Sequence, residues 1–160
     1  MQDKELIKLV RQIKDNIEPG VTISTAESCT GGMLAAYLTA ISGSSEYFST
    51  GIVSYSNAAK MKLLSVKEET LEKFGAVSEE VAKEMAMGSR KIAASDIAIS
   101  ITGIAGPGGG TAQKPVGMVC FGVASSGSVE SFTHNFTGNR TEVRRQACLI
   151  ALQLVLSEVV

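Results

Sequence analysis

The stretch Thr25-Ala26-Glu27-Ser28-Cys29-Thr30-Gly31-Gly32-Met33-Leu34 places a carboxylate, a hydroxyl, a thiol and two glycines between an apolar strand and an apolar helix. Its pattern predicts that Ser28 and Cys29 stand at a helix N-terminus. The first four N–H groups of a helix have no intrahelical acceptor, and that end carries roughly +0.5 charge. Such an end suits an anion or a developing oxyanion. The chemistry on offer is attack by the Ser28 hydroxyl on an acyl carbon, with the N–H groups of Thr30, Gly31 and Gly32 receiving the oxyanion.

A serine hydroxyl needs a base. The chain has one histidine, His134, in a predicted late strand with no motif around it. Lys60 lies 32 residues past Ser28, one turn into a helix that follows a predicted strand ending at Tyr55. If the strands before Ser28 and before Lys60 are neighbours, both turns open on one sheet edge and the two side chains meet there. A lysine base must be neutral, so desolvation or a nearby cation has to lower its pKa from about 10.4. On the residues alone, Lys60 reads equally as a solvated helix lysine and Ser28 as a turn serine. Cys29 is a rival nucleophile, since a helix N-terminus lowers a thiol pKa, but it lacks a histidine partner. Glu27 reads as a general acid or base, or as a carboxylate that bonds the turn or orients Lys60. The Gly-x-Ser-x-Gly and Ser-x-x-Lys patterns are absent.

Gly103-Ile104-Ala105-Gly106-Pro107-Gly108-Gly109-Gly110 follows the most apolar strand candidate. It is neither a Walker A motif nor the dinucleotide fingerprint. Its glycines permit close approach of a ligand to the backbone, and Thr102 and Lys114-Pro115 flank it; the competing reading is a long flexible connection. Arg140 and Arg144 lie four apart at the start of the last helix, on one face. They offer guanidinium groups and a helix N-terminus to a phosphate, or are solvated helix arginines.

The elements that must position these groups follow from periodicity. Leu6, Leu9, Val10, Ile13 and Ile17 recur at helical spacing before Pro19-Gly20. Strands are predicted over 21–25 and 48–55, with a helix over 32–41 between them. Helices follow over 57–64, 68–74 and 79–94, the last capped by Ser78. Residues 96–101 form a nearly continuous apolar run of central-strand type. Residues 118–124 and 129–136 read as a hairpin about Ser125-Ser126-Gly127-Ser128. A terminal helix starts after Asn139 or Thr141. Helices alternate with strands early and a hairpin comes late, which predicts an α/β sandwich with a mixed sheet and helices on both faces.

At 160 residues, with no linker, repeat or low-complexity tract, one domain spanning 1–160 is expected. A net charge of −1 gives no electrostatic case for nucleic acid or a membrane surface. No segment reaches the roughly 20 apolar residues of a membrane span. The opening Met1-Gln2-Asp3-Lys4-Glu5 lacks the basic start and apolar core of a signal peptide, so a cytoplasmic location is expected. Cys29, Cys120 and Cys148 are too few and too widely spaced for a disulfide framework or zinc cluster. The apolar breadth of the last helix (Leu149, Leu152, Leu156) predicts a homo-oligomer, with a dimer expected.

The Glu27-Ser28-Cys29-Thr30-Gly31-Gly32 block resembles the signature of the CinA C-terminal domain family, which includes stand-alone nicotinamide-nucleotide amidases. Gly51 to Lys60, Thr102-Gly103-Ile104-Ala105-Gly106-Pro107, Lys114-Pro115-Val116-Gly117, and Arg140 with Val143-Arg144-Arg145-Gln146-Ala147 resemble further family blocks, in the family's order. The resemblance implies hydrolysis of the carboxamide of nicotinamide mononucleotide to nicotinate mononucleotide and ammonia. It places a Ser–Lys pair at Ser28 and Lys60 with Tyr55 nearby. Cys29, Thr30, Gly31 and Gly32 would then lie around the reacting carbonyl, and Thr102, Gly103, Ala105, Gly106, Arg140 and Arg144 around ribose and phosphate. The partner implied is a small-molecule nucleotide substrate, with no metal and no organic cofactor. Two other readings stand beside it: a nucleotide-binding or regulatory module, and an amidase for another small carboxamide.

Overall fold

Three parallel strands carry the chemistry-bearing turns to one edge of a mixed sheet. A computed structural model describes residues 3–160; Met1 and Gln2, the first residues of the charged opening noted above, lie outside the described residues. The strands β1 (Ile23–Glu27), β2 (Phe48–Val53), β3 (Ile97–Gly103), β4 (Met118–Ser125) and β5 (Ser128–Asn135) stand in the order β2-β1-β3-β4-β5. β1 pairs in parallel with both β2 and β3, whereas β3–β4 and β4–β5 are antiparallel. The expected mixed sheet and late hairpin are both present.

Boundaries moved where side chains intervene. β1 begins two residues later than its pattern predicts, because Thr22 is taken up in a clasp with Asp96. Its N–H and hydroxyl donate to the Asp96 carboxylate at 2.8 and 3.2 Å, and its carbonyl accepts from Asp96 and Ile97. β3 runs past Ile101 through Thr102 and Gly103. There a Cβ on Gly103 would stand 2.7 Å from Val119 Cγ2, so only glycine fits beside β4. The helix expected over 32–41 is α2 (Met33–Leu38), six residues long. It stops where the Thr39 hydroxyl bonds the carbonyls of Ala35 and Ala36.

The sheet has a bulky face and a small face, as a two-residue alternation requires. Ile23, Ile97, Ile99, Ile101, Val119, Phe121 and Val123 pack under α1 (Lys4–Asn16), α2 and α6 (Arg140–Val159). Ala26, Ala98, Ser100, Gly122 and Ala124 receive α5 (Glu79–Ala93) on the other side. Small residues let this helix seat closely: the Ser100 hydroxyl donates to the Ala82 carbonyl at 2.5 Å, and a Cβ on Gly122 would collide with that carbonyl. α3 (Asn57–Leu64) and α4 (Glu68–Phe74) rest on α5. Helices on both faces are therefore as expected.

Of the two candidate caps for α6, Asn139 serves: its Oδ1 accepts the Glu142 N–H at 2.9 Å, and Glu142 Oε2 accepts the Asn139 N–H at 2.7 Å. The breadth of its apolar face is met inside the chain, since α6 lies against both the sheet and α1. Leu152 is fully buried, and Leu149 and Leu156 pack against the same core. That breadth gives no argument for a second copy. Among the described residues no helix is long and apolar enough to cross a membrane.

Candidate active site

β1 lies between β2 and β3; the β1–β2 connection carries α2 on one face of the sheet, and the β2–β3 connection carries α3, α4 and α5 on the other. Strand order reverses at its carboxyl end, where open α/β sheets form a crevice. The ladders continue just beyond the strands: the Ser28 N–H donates to the Ile101 carbonyl at 2.9 Å, and the Ser54 N–H to the Glu27 carbonyl at 2.8 Å. Ser28 is thereby held between the ends of its two neighbours.

The β2 chain end turns into α3 through Ser56, whose Oγ accepts the Ala59 N–H at 3.0 Å. This cap aims Lys60 inward, where it is 1% exposed. Its Nζ donates to Ser28 Oγ at 2.9 Å, to the Ser54 carbonyl at 2.9 Å and to the Tyr55 carbonyl at 3.3 Å. Among the described residues no carboxylate forms an ion pair with it. Burial holds the Lys60 pKa below the ordinary lysine value. A neutral amine has two N–H bonds and one lone pair. The two carbonyls suit the N–H bonds and the Ser28 hydroxyl suits the lone pair, a geometry in which an amine can take a hydroxyl proton.

Cys29 behaves contrary to the helix-end expectation. It is 6% exposed, and burial pushes its thiol up to about 11, so it stays protonated near neutral pH. Burial is the main cause, and Glu27 adds to it. This fully buried carboxylate turns back onto α2, where Oε1 accepts the Leu34 N–H at 2.8 Å and Oε2 the Ala35 N–H at 3.1 Å. The positive end of α2 is already occupied by the chain's own anion, and the same charge raises the neighbouring thiol. Of the readings of Glu27, turn bonding is the one its contacts fit, and it has no hydrogen bond to Lys60.

A cavity of about 270 Å³ opens over Ser28. Ser28, Cys29 and Lys60 form one side, and Thr102, Gly103, Ala105 and Gly106 the other. Tyr55 and Arg140 stand on the rim: Tyr55 is 61% exposed, and its hydroxyl accepts from Arg140 Nη2 at 3.1 Å. Arg140 Nη1 donates to the Gly106 carbonyl at 2.8 Å, so one guanidinium bridges the two walls. Gly106 has φ +82°, and a Cβ there would collide with Val116. Thr102 donates its hydroxyl to the Ala76 carbonyl at 2.8 Å, securing the wall, and Ser54 is fully buried.

Thr30, Gly31, Gly32 and Arg144 do not line this cavity. The Gly31 N–H is taken by the Ser28 carbonyl at 3.0 Å, and Arg144 donates to the carbonyls of Cys29 and Thr30. The start of α6 is likewise filled by its own Asn139–Glu142 cap, which leaves the Arg140 side chain as the guanidinium at the cavity. Asn57, Ala76 and Val77 also line the cavity and went unnoticed in the sequence. Asn57 read only as the start of a helix. Ala76 and Val77 carry no chemical signal, and it is the Thr102 bond that brings their segment to the site.

Fold and site together define an α/β protein with a buried serine–lysine pair at the switch point of a mixed sheet. The chain belongs to the CinA family: the CinA C-terminal domain model matches residues 6–159. The nicotinamide-nucleotide amidohydrolase PncC of Enterobacter agglomerans is 49% identical over 160 residues, covering 99% of this chain and 98% of that protein. A CinA-like protein of Endomicrobium trichonymphae is 55% identical over 139 residues, 87% of this chain, which spans only 32% of that longer relative. The crystal structure of the competence/damage inducible protein CihA from Agrobacterium tumefaciens superposes with a TM-score of 0.95 at 41% identity, covering 98% of this chain and 97% of that one.

Proposed function

We propose that this protein is a cytoplasmic amidohydrolase that deamidates nicotinamide mononucleotide to nicotinate mononucleotide and ammonia through a seryl ester. The observation that carries the reading is the 2.9 Å contact of Lys60 Nζ with Ser28 Oγ, in a site where lysine is buried without a carboxylate. A module that only binds nucleotide has no use for such a lysine. The amidohydrolase name of a relative that this chain covers almost end to end supports the substrate.

Ser28 Oγ attacks the carboxamide carbon while Lys60 takes its proton. The N–H of Cys29, which follows Ser28 in the cavity lining, has no acceptor on another described residue and is the candidate oxyanion donor. Lys60 returns the proton to the leaving nitrogen, and ammonia departs from the ester. Water then attacks the ester carbonyl and gives a proton to Lys60, which passes it back to Ser28 as the carboxylate leaves. The pyridinium charge of the substrate makes its carbonyl more electrophilic. Tyr55 enters through its carbonyl on Lys60 and its ring at the cavity rim, and Arg140 meets the phosphate.

Ammonia release from nicotinamide mononucleotide tests this, with Ser28→Ala and Lys60→Ala alongside. Turnover in the wild type and its loss in both folded variants is the expected result. Near-normal turnover in Lys60→Ala overturns the pair, and an inactive wild type overturns the substrate.

A further inference from the structure

α2 holds few hydrogen bonds of its own, and a helix of six residues is not self-supporting. The turn that carries Ser28 therefore takes its shape from tethers. Within it, Gly31 and Gly32 adopt φ of +57° and +97°, a backbone path that packing must hold in place. Four hydrogen bonds from two charged side chains do this. On one side the Glu27 carboxylate accepts the N–H groups of Leu34 and Ala35. On the other, Arg144 Nε donates to the Cys29 carbonyl at 3.1 Å and Nη2 to the Thr30 carbonyl at 3.0 Å. We infer that Glu27 and Arg144 are positioning residues that clamp the Ser28 turn from opposite ends and so set the Ser28 hydroxyl on Lys60.

This rests on Ser28 and Lys60 being the reacting pair. Arg144 is absent from the cavity wall, so it meets no substrate, whereas Arg140 one helical turn earlier does line the cavity. Its planar fork spans two successive carbonyls, which a lysine ammonium does not reproduce. The guanidinium packs directly over the turn, since a Cβ on Gly31 would stand in ordinary contact with Arg144 Nη2 at 3.5 Å. With the fork removed, the carbonyls of Cys29 and Thr30 lose their anchor on α6, and Ser28, one residue away, is free to drift from Lys60. A displacement of about 1 Å at a reacting group costs on the order of 10²-fold in rate.

The test compares the wild type with Arg144→Ala, Arg144→Lys and Glu27→Gln. Three quantities are measured: kcat and KM for nicotinamide mononucleotide, the Kd of nicotinate mononucleotide by calorimetry, and the rate at which phenylmethylsulfonyl fluoride labels Ser28, by intact mass. Arg144→Ala is expected to lower kcat and the labelling rate together by roughly 10²-fold, with KM and product Kd within about threefold. Arg144→Lys should recover part of both rates. If Glu27→Gln fails to fold, the two Arg144 variants decide. Labelling and kcat near wild type per folded molecule in Arg144→Ala would overturn the inference, as would a tenfold rise in KM or product Kd at unchanged kcat. A wild type that is labelled at Ser28 yet releases no ammonia sinks the proposed substrate and leaves the clamp standing. One that resists labelling overturns the reacting pair, and the clamp with it.

Discussion

Lys60 Nζ and Ser28 Oγ stand 2.9 Å apart across 32 residues of sequence, Ser28 just past the end of β1 and Lys60 in α3, the helix that follows the neighbouring parallel strand β2. The lysine's remaining partners are two main-chain carbonyls. Among the described residues no carboxylate pairs with it, and burial works against its charge.

The rate is therefore expected to follow the deprotonation of Lys60. Its pKa is lowered in the folded protein, so kcat/KM should rise with pH through a value below the ordinary lysine one of about 10.4. Lys60→Arg should be inactive at every pH, since a guanidinium does not deprotonate. Stability carries the matching sign. A depressed lysine pKa costs stability fully below the folded value and is relieved as pH climbs toward the unfolded one. The gain in Tm of Lys60→Met over the wild type should thus shrink between pH 7 and pH 10. A flat pH–rate profile would remove Lys60 as the base.

Cys29 is expected to be dispensable for the chemistry. Its thiol stays protonated, so iodoacetamide at pH 8 should leave activity intact, and Cys29→Ala should retain kcat within about tenfold. Rapid inactivation by the reagent, protected by nucleotide, would make the thiol the nucleophile instead.

Arg140 should serve the phosphate and nothing else. Loss of a charge-assisted hydrogen bond costs about 1.5–3 kcal/mol. At an exposed rim the lower end applies, so Arg140→Ala should raise KM for the nucleotide about tenfold with kcat nearly kept. For nicotinamide riboside, which lacks the phosphate, wild type and variant should agree. An equal loss on both substrates would mean that Arg140 acts by holding Gly106 and Tyr55 in place.

The seating of α3 on α5 depends on Gly88. Alanine normally improves a helix interior by about 1 kcal/mol over glycine. Here the added Cβ would collide with the backbone carbonyl of Leu64, so Gly88→Ala should destabilise by about 2 kcal/mol or more in urea unfolding. A neutral or stabilising result would show that α3 shifts freely, and with it the helix that carries Lys60.

The sequence by itself determined the alternation of elements and the late hairpin, and narrowed the cap of α6 to Asn139 or Thr141, because periodicity and capping residues are local signals. It also supplied Ser28, Lys60 and the glycine loop as groups able to do chemistry. Tertiary structure alone decided which of them meet. β1 had to fall between β2 and β3 before Ser28 and Lys60 shared an edge, and strand order leaves no mark on local pattern. The same holds for the two charges beside Ser28. Glu27 and Arg144 look like site residues in a string of letters, and each has turned to the backbone, because a strained turn before a six-residue helix needs partners from outside itself. Cys29 is the sharpest case. Its place at a helix start made it a rival nucleophile in the sequence, and burial, with Glu27 adding to it, keeps its thiol protonated, since desolvation is a property of the packed interior.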